Sequence, residues 1–130
     1  MYEAVTRGIV VAVEPSFLAD QSDPGSGRYV WAYHVIIRNQ GQQTVQLHSR
    51  HWRITDATGR VQEVRGAGVV GEQPVLAPGQ SFEYTSGAPL PTPTGFMGGF
   101  YQMRTVEGEN FDAVIPTFSL DSPHQSAVLH

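Results

Sequence analysis

Three kinds of residue in this chain could do chemistry: a glycine cluster, a set of histidines, and a set of arginines. The run from Arg65 to Pro74 reads R-G-A-G-V-V-G-E-Q-P, so Gly66, Gly68 and Gly71 form G-x-G-x-x-G. That spacing can bring backbone N–H groups up to a pyrophosphate when a strand ends at the first glycine and a helix starts at the third. The helix then offers free N–H donors and a partial positive charge. Here Gly71 is followed by Glu72, Gln73 and Pro74, and then by Pro78. Pro74 turns Gln73 away from the helical region, and Glu72 puts an anion beside the anion site. A Walker loop needs lysine, and all eight basic residues are arginines. The favoured reading is a bend or bulge between strands, where glycine allows positive φ and close backbone approach. A phosphate- or pyrophosphate-binding module at these glycines is the alternative.

His48 and His51 could form part of a divalent-metal site. Residues three apart on a regular strand point to opposite faces, so both reach one ion only across a bulge. His34, on a strand expected to lie alongside, is the third candidate, and surface or structural histidines are the preferred reading. Arg50, Arg53 and Arg65 could make a basic patch for an acidic group, or lie on solvated strand faces beside Asp56, Glu63 and Glu72. Ser49 or Ser86 with His51 suggests a nucleophile, but no G-x-S-x-G elbow accompanies them. Glu107 and Glu109 flank Gly108 and read as a hairpin turn. A different chemistry lies in Pro89–Met103, where Phe96, Met97, Phe100, Tyr101 and Met103 sit among prolines and glycines. Such residues favour interface cores, and prolines lower the ordering cost of binding. One parity of this run must face inward. The candidate partner surface combines Gly66–Pro74, with Gly66, Gly68 and Gly71, and Pro91–Gly99. Met97, Phe96 and Tyr101 are the candidate contacts, with Arg65 and Glu72 at a polar rim. Phe96, Phe100 and Met103 as core residues is the competing assignment.

The elements that must carry these residues are strands. No apolar 3.6-residue period lasts three turns, while alternation, β-branched residues and turn signals recur. Val5–Val13 reads as a strand with Ile9, Val11 and Val13 on one face. Asp20–Gly27 reads as a mobile polar loop. Arg28–Asn39 is the strongest strand, with Tyr29, Trp31, Tyr33, Val35 and Ile37 on one face. In Thr44–Asp56, Val45 and Leu47 share one parity and Trp52 and Ile54 the other, so a bulge is expected near His48–His51. Asp56–Gly59 turns the chain into Val61–Val64. The core is expected to contain Val11, Trp31, Val35, Trp52, Ile54 and Phe82. Seven or eight strands result, forming an all-β, two-sheet sandwich over residues 1–120. Residues 121–130 form a frayed C-terminal tail.

Composition bounds the function. A chain of 130 residues supports one two-layer core. Cysteine is absent, which removes disulfides, thiolate nucleophiles and Cys-based metal sites and fits a reducing cytoplasm. The missing lysine removes Schiff-base chemistry from side chains. Net charge is −4 with no basic block, which argues against nucleic acid as a partner. No apolar run is long enough to span a membrane, and the N-terminal residues lack the pattern of a signal peptide.

Several blocks together resemble the ApaG family. They are G-A-G-V-V-G-E-Q-P with Leu76-x-Pro78-Gly79-x-x-Phe82-x-Tyr84-x-Ser86, Ser49-Arg50-x-Trp52-x-Ile54-x-Asp56, Pro93-x-Gly95-x-Met97-x-Gly99-x-Tyr101-x-Met103, and Ile115-Pro116-x-Phe118-x-Leu120. The blocks occur in the family's order, and the resemblance spans essentially the whole chain from Tyr2 to Leu120. The resemblance implies a sandwich similar to immunoglobulin and fibronectin type III domains. It also implies a binding module more than an enzyme, since related domains occur within larger eukaryotic proteins, including an F-box protein and a DNA-polymerase-interacting protein. In fibronectin-like domains an aromatic hydroxyl ties the corner near Phe82. Phe82 has none, so packing alone is expected to hold it. The combined expectation is a non-enzymatic, cytoplasmic protein-interaction module with a protein partner. No cofactor, nucleic acid or membrane is expected, and self-association is left open.

Overall fold

Alternating apolar residues make two antiparallel sheets, and the sheets bury their apolar faces against each other. In a computed structural model, described over residues 1–124, the strands are β1 (Tyr2–Thr6), β2 (Ile9–Phe17), β3 (Tyr29–Asn39), β4 (Val45–Asp56), β5 (Val61–Ala67), β6 (Val75–Leu76), β7 (Ser81–Leu90), β8 (Gly95–Thr105) and β9 (Asn110–Leu120). The first sheet has the order β1-β2-β3-β7 and the second β5-β4-β8-β9, with β6 added on β4. The sandwich is the expected one, with nine strands instead of seven or eight. One extra strand arises at Arg7-Gly8, where φ values of 50° and 82° fold the expected single strand into a hairpin.

The two sheets meet differently along their two sides. At one side β1 lies against β9: the Val114 N–H donates to Thr6 Oγ1 at 3.0 Å, and the Tyr2 and Ser119 hydroxyls pair at 3.0 Å. At the other, β7 faces β4 and β5 across an open cleft. Between the sheets lie Ile9, Val11, Val13, Trp31, Val35, Ile37, Leu47, Trp52, Met97, Met103, Ile115 and Phe118. Val11, Trp31, Val35, Trp52 and Ile54 are buried as expected, while Phe82 is only partly buried at the core margin.

The bulge expected in β4 is present. Register against β8 slips between Leu47 and Ser49, leaving His48 as the extra residue. The slip is what lets Leu47 and Trp52 both face inward despite opposite parity. A second slip separates Met97 and Gly99 against β9.

The corner before β7 is not held by packing alone. Asn39, fully buried, donates through Nδ2 to the carbonyls of Leu76 and Gln43 at 2.9 and 2.8 Å. Its own carbonyl accepts from the Gly79 N–H at 2.7 Å. Gln80 closes the turn by accepting from the Ala77 N–H at 2.8 Å. A buried amide with all its groups satisfied thus replaces the missing phenol.

The start of the expected tail is also anchored. Trp31 Nε1 donates to the Asp121 carbonyl at 2.8 Å, and Ser122, buried, donates to the Pro93 carbonyl at 2.7 Å. Residues 125–130 lie outside the described residues.

Candidate functional site

Strand parity in β8 decides which aromatic residues a partner can reach. Met97 and Tyr101 are 1% and 0% exposed, whereas Phe96 and Phe100 are 48% and 38% exposed. Met97 and Tyr101 are therefore corrected from partner contacts to core. Trp52 packs edge-on to Tyr101, and Tyr101 shares a hydroxyl–hydroxyl hydrogen bond with Tyr84 of the opposite sheet. Phe96 keeps its expected exposure, and Phe100 moves from the core to the surface. The sequence carried a signal for this pairing, since Phe96, Gly98 and Phe100 share one parity.

Phe96 and Phe100 wall a groove on the outer face of the second sheet. Cross-strand register builds it in rows. Val61, Thr55 and Phe96 form one row. Arg53 and Gly98 form the next, and His51, Phe100 and Val114 the third. Gly98 has no side chain, so the middle row leaves a trough between the Phe96 and Phe100 rows. The groove encloses about 470 Å³, with Val61, Val114 and Thr117 completing its walls. Val61 and Val114 are themselves exposed.

The glycine segment has a different geometry from a phosphate cradle. Gly66 lies in β5 opposite Arg50, and the Gly68 N–H donates to the His48 carbonyl at 2.8 Å. Val69 and Glu72 exchange two backbone hydrogen bonds around Val70-Gly71, whose φ values are 42° and 80°. The segment is a hairpin with a primed two-residue turn, and no helix starts at Gly71. Gly68 has φ +61°, and a Cβ there would lie 2.2 Å from the Glu72 carbonyl oxygen. Glu72 is at the exposed tip, and Arg65 points outward, 3.6 Å from Glu63.

Strand alternation separates the arginines expected to form one patch, since Arg50 and Arg53 are three apart on the regular part of β4. Arg53 and Arg65 face out. Arg50 shares the inward parity of Trp52 and Ile54 and enters the open cleft between the sheets.

The histidines do not converge. β3 and β4 belong to different sheets, which corrects the expectation that His34 lies on the strand next to His51. His34 Nδ1 meets Thr85 Oγ1 at 2.7 Å, and His51 Nε2 meets Glu63 Oε1 at 2.7 Å. The His51 hydrogen bond is the main cause holding the Glu63 carboxyl below its usual range. Among the described residues, no three His, Cys, Asp or Glu side chains cluster as metal ligands. Ser49 donates to Gln102 Oε1 at 2.8 Å, and Ser86 lies on β7 of the other sheet. Neither forms a pair with His51.

The family model described as the ApaG domain matches residues 19–105. The chain belongs to the ApaG family. It is 67% identical over 124 residues to Protein ApaG of Rhodospirillum centenum, covering 95% of each chain. It is 62% identical to Protein ApaG of Parvibaculum lavamentivorans over the full length of both. A crystal structure from Bordetella pertussis, of a protein provisionally named ApaA, superposes with a TM-score of 0.86 at 52% identity, covering 89% of this chain and 94% of that one. The ApaG match includes the bulged strand β4, the glycine hairpin and all of β8. No helix among the described residues is long and apolar enough to cross a membrane.

Proposed function

We propose that this ApaG-family chain is a non-enzymatic protein-interaction module of the cytoplasm. It binds an extended segment of a partner protein in the groove between Phe96 and Phe100. One observation carries this reading: four apolar side chains, Phe96, Phe100, Val61 and Val114, stand exposed around a glycine-floored trough. Contiguous apolar patches of this kind mark interaction sites on soluble domains. Aromatic anchors beside a groove supply most of the energy of such contacts, and a polar rim supplies steering. Here Arg53, Thr55 and Thr117 supply the polar groups of the groove lining. The engagement of Ser49 and His51 by separate partners supports binding over hydrolysis, and the net charge of −4 supports a protein over nucleic acid. The cysteine-free composition fits the cytoplasm.

Selection of displayed peptides against the immobilised protein tests the reading. Peptides with an apolar or aromatic anchor are expected to be enriched. They should lose at least tenfold in affinity against Phe96→Ser and Phe100→Ser, while both variants keep their fold by circular dichroism. Peptides that bind wild type and both variants equally would place the surface elsewhere.

A further inference from the structure

Arg50 is a half-buried cation whose surroundings are built to hold it. Its guanidinium lies against Gly66, where an added Cβ would sit 2.9 Å from Nη1 and 3.0 Å from Cζ. Nη1 donates to the Ala67 carbonyl at 3.0 Å and to the Gly68 carbonyl at 2.8 Å. The glycine segment therefore turns carbonyls toward a cation, the opposite polarity to a phosphate cradle. Gly66 makes the space, and the backbone before the Val70-Gly71 turn fixes the aim. No carboxylate among the described residues lies within ion-pair distance of Arg50. A partly desolvated charge without a counter-ion is costly and attracts an anion of matching size.

The cleft around it narrows the choice of anion. It opens between β7 and β4–β5 and encloses about 210 Å³. That is below the usual range for drug-sized ligands. Tyr33, Trp52, Ile54, Val64, Ala88 and Met97 give it apolar and aromatic walls, and Ser86 and Gln62 add neutral polar groups. The Tyr33 and Trp52 rings pack at 5.2 Å. The Tyr33 phenol is pushed up mainly by burial, against a hydrogen bond with Ser86 and the nearby Arg50 charge. One guanidinium balances one negative charge. A phosphate dianion would leave charge uncompensated against apolar walls, whereas a carboxylate matches the guanidinium fork.

We propose that the inter-sheet cleft at Arg50 binds a small organic monocarboxylate, its carboxylate on the free edge of the Arg50 guanidinium and its apolar body between Trp52, Ile54, Val64 and Ala88. This site lies on the inner side of the second sheet, across from the Phe96–Phe100 groove, and does not depend on it. The test is titration of the isotope-labelled protein with benzoate, benzamide and inorganic phosphate, followed by nuclear magnetic resonance. Benzoate is expected to shift the Trp52 indole N–H and the amides of Arg50, Ser86, Gly87 and Ala88 saturably. Benzamide and phosphate should bind at least tenfold more weakly. Arg50→Gln should lower benzoate affinity at least tenfold with thermal unfolding still cooperative. If Arg50→Gln does not fold, the wild-type shift map and the benzoate-to-benzamide ratio decide alone. Absence of saturable shifts, equal binding of benzamide, shifts outside the cleft, or preference for phosphate would each overturn the proposal.

Discussion

Val70 shows how a single residue can oppose its own turn. It occupies a left-handed position at φ 42°, exposed at the tip of the glycine hairpin. A β-branched side chain there costs about 1–2 kcal/mol, and asparagine is tolerated. Val70→Asn, which creates the favoured Asn-Gly turn, should raise stability by about 1 kcal/mol in urea denaturation. Gly68→Ala should do the reverse, losing at least about 1 kcal/mol, because its φ is positive and the Glu72 carbonyl occupies the Cβ position. Asp56 acts through its carboxylate, which accepts from the Thr58 hydroxyl at 2.6 Å and from the Thr58 and Arg60 N–H groups. The Thr58 hydroxyl is the main cause holding its carboxyl below the usual range. A lowered carboxyl contributes stability above its unfolded value and loses it as the pH falls through the folded one. The melting temperature of Asp56→Ala should therefore fall below wild type at neutral pH and converge on it in acid. A gap that stays constant down to pH 2 would contradict this.

At the scale of elements, the corner before β7 makes the sharpest forecast. Asn39→Leu removes the donor to the Leu76 and Gln43 carbonyls. Buried groups left without partners cost about 1–3 kcal/mol each, so the variant should lose several kcal/mol. A loss under about 1 kcal/mol would return the corner to packing alone. Much of this scale was legible in the sequence. Trp31, Tyr33, Val35 and Ile37 share one parity and one face, and the mismatch between Leu47 and Trp52 exposed the bulge. The sequence could not show which side of β8 faces inward. Phe96, Met97, Phe100 and Tyr101 are apolar on both parities, so only pairing decides: Met97 lies opposite Ile54, and Phe100 opposite His51. The cleft at Arg50 was hidden for a related reason. Its inward direction follows from the bulge at His48, and its partners come from β5 and β7, which are distant in the chain.

At the scale of the whole molecule, two sheets are joined by a buried polar contact between the Tyr84 and Tyr101 hydroxyls. Burial raises both phenols above their usual range. Unfolded tyrosines ionise near pH ~10, so stability is complete below that pH and is lost as the pH rises further. The Tyr84→Phe/Tyr101→Phe double variant should show a shallower alkaline loss. The same core makes Trp52→Ala cost about 3–5 kcal/mol, whereas Phe100→Ser, at the surface, should stay within about 1 kcal/mol. The molecule thus presents one apolar row of β8 to its core and leaves the other exposed, where the proposed partner would bind. Amide shift mapping of a groove-selected peptide on the labelled protein tests this division most directly. Perturbations should centre on Arg53, Thr55, Val61, Phe96, Gly98, Phe100 and Val114. Perturbations centred on the Gly66–Glu72 hairpin or on the outer face of the β1-β2-β3-β7 sheet would contradict it.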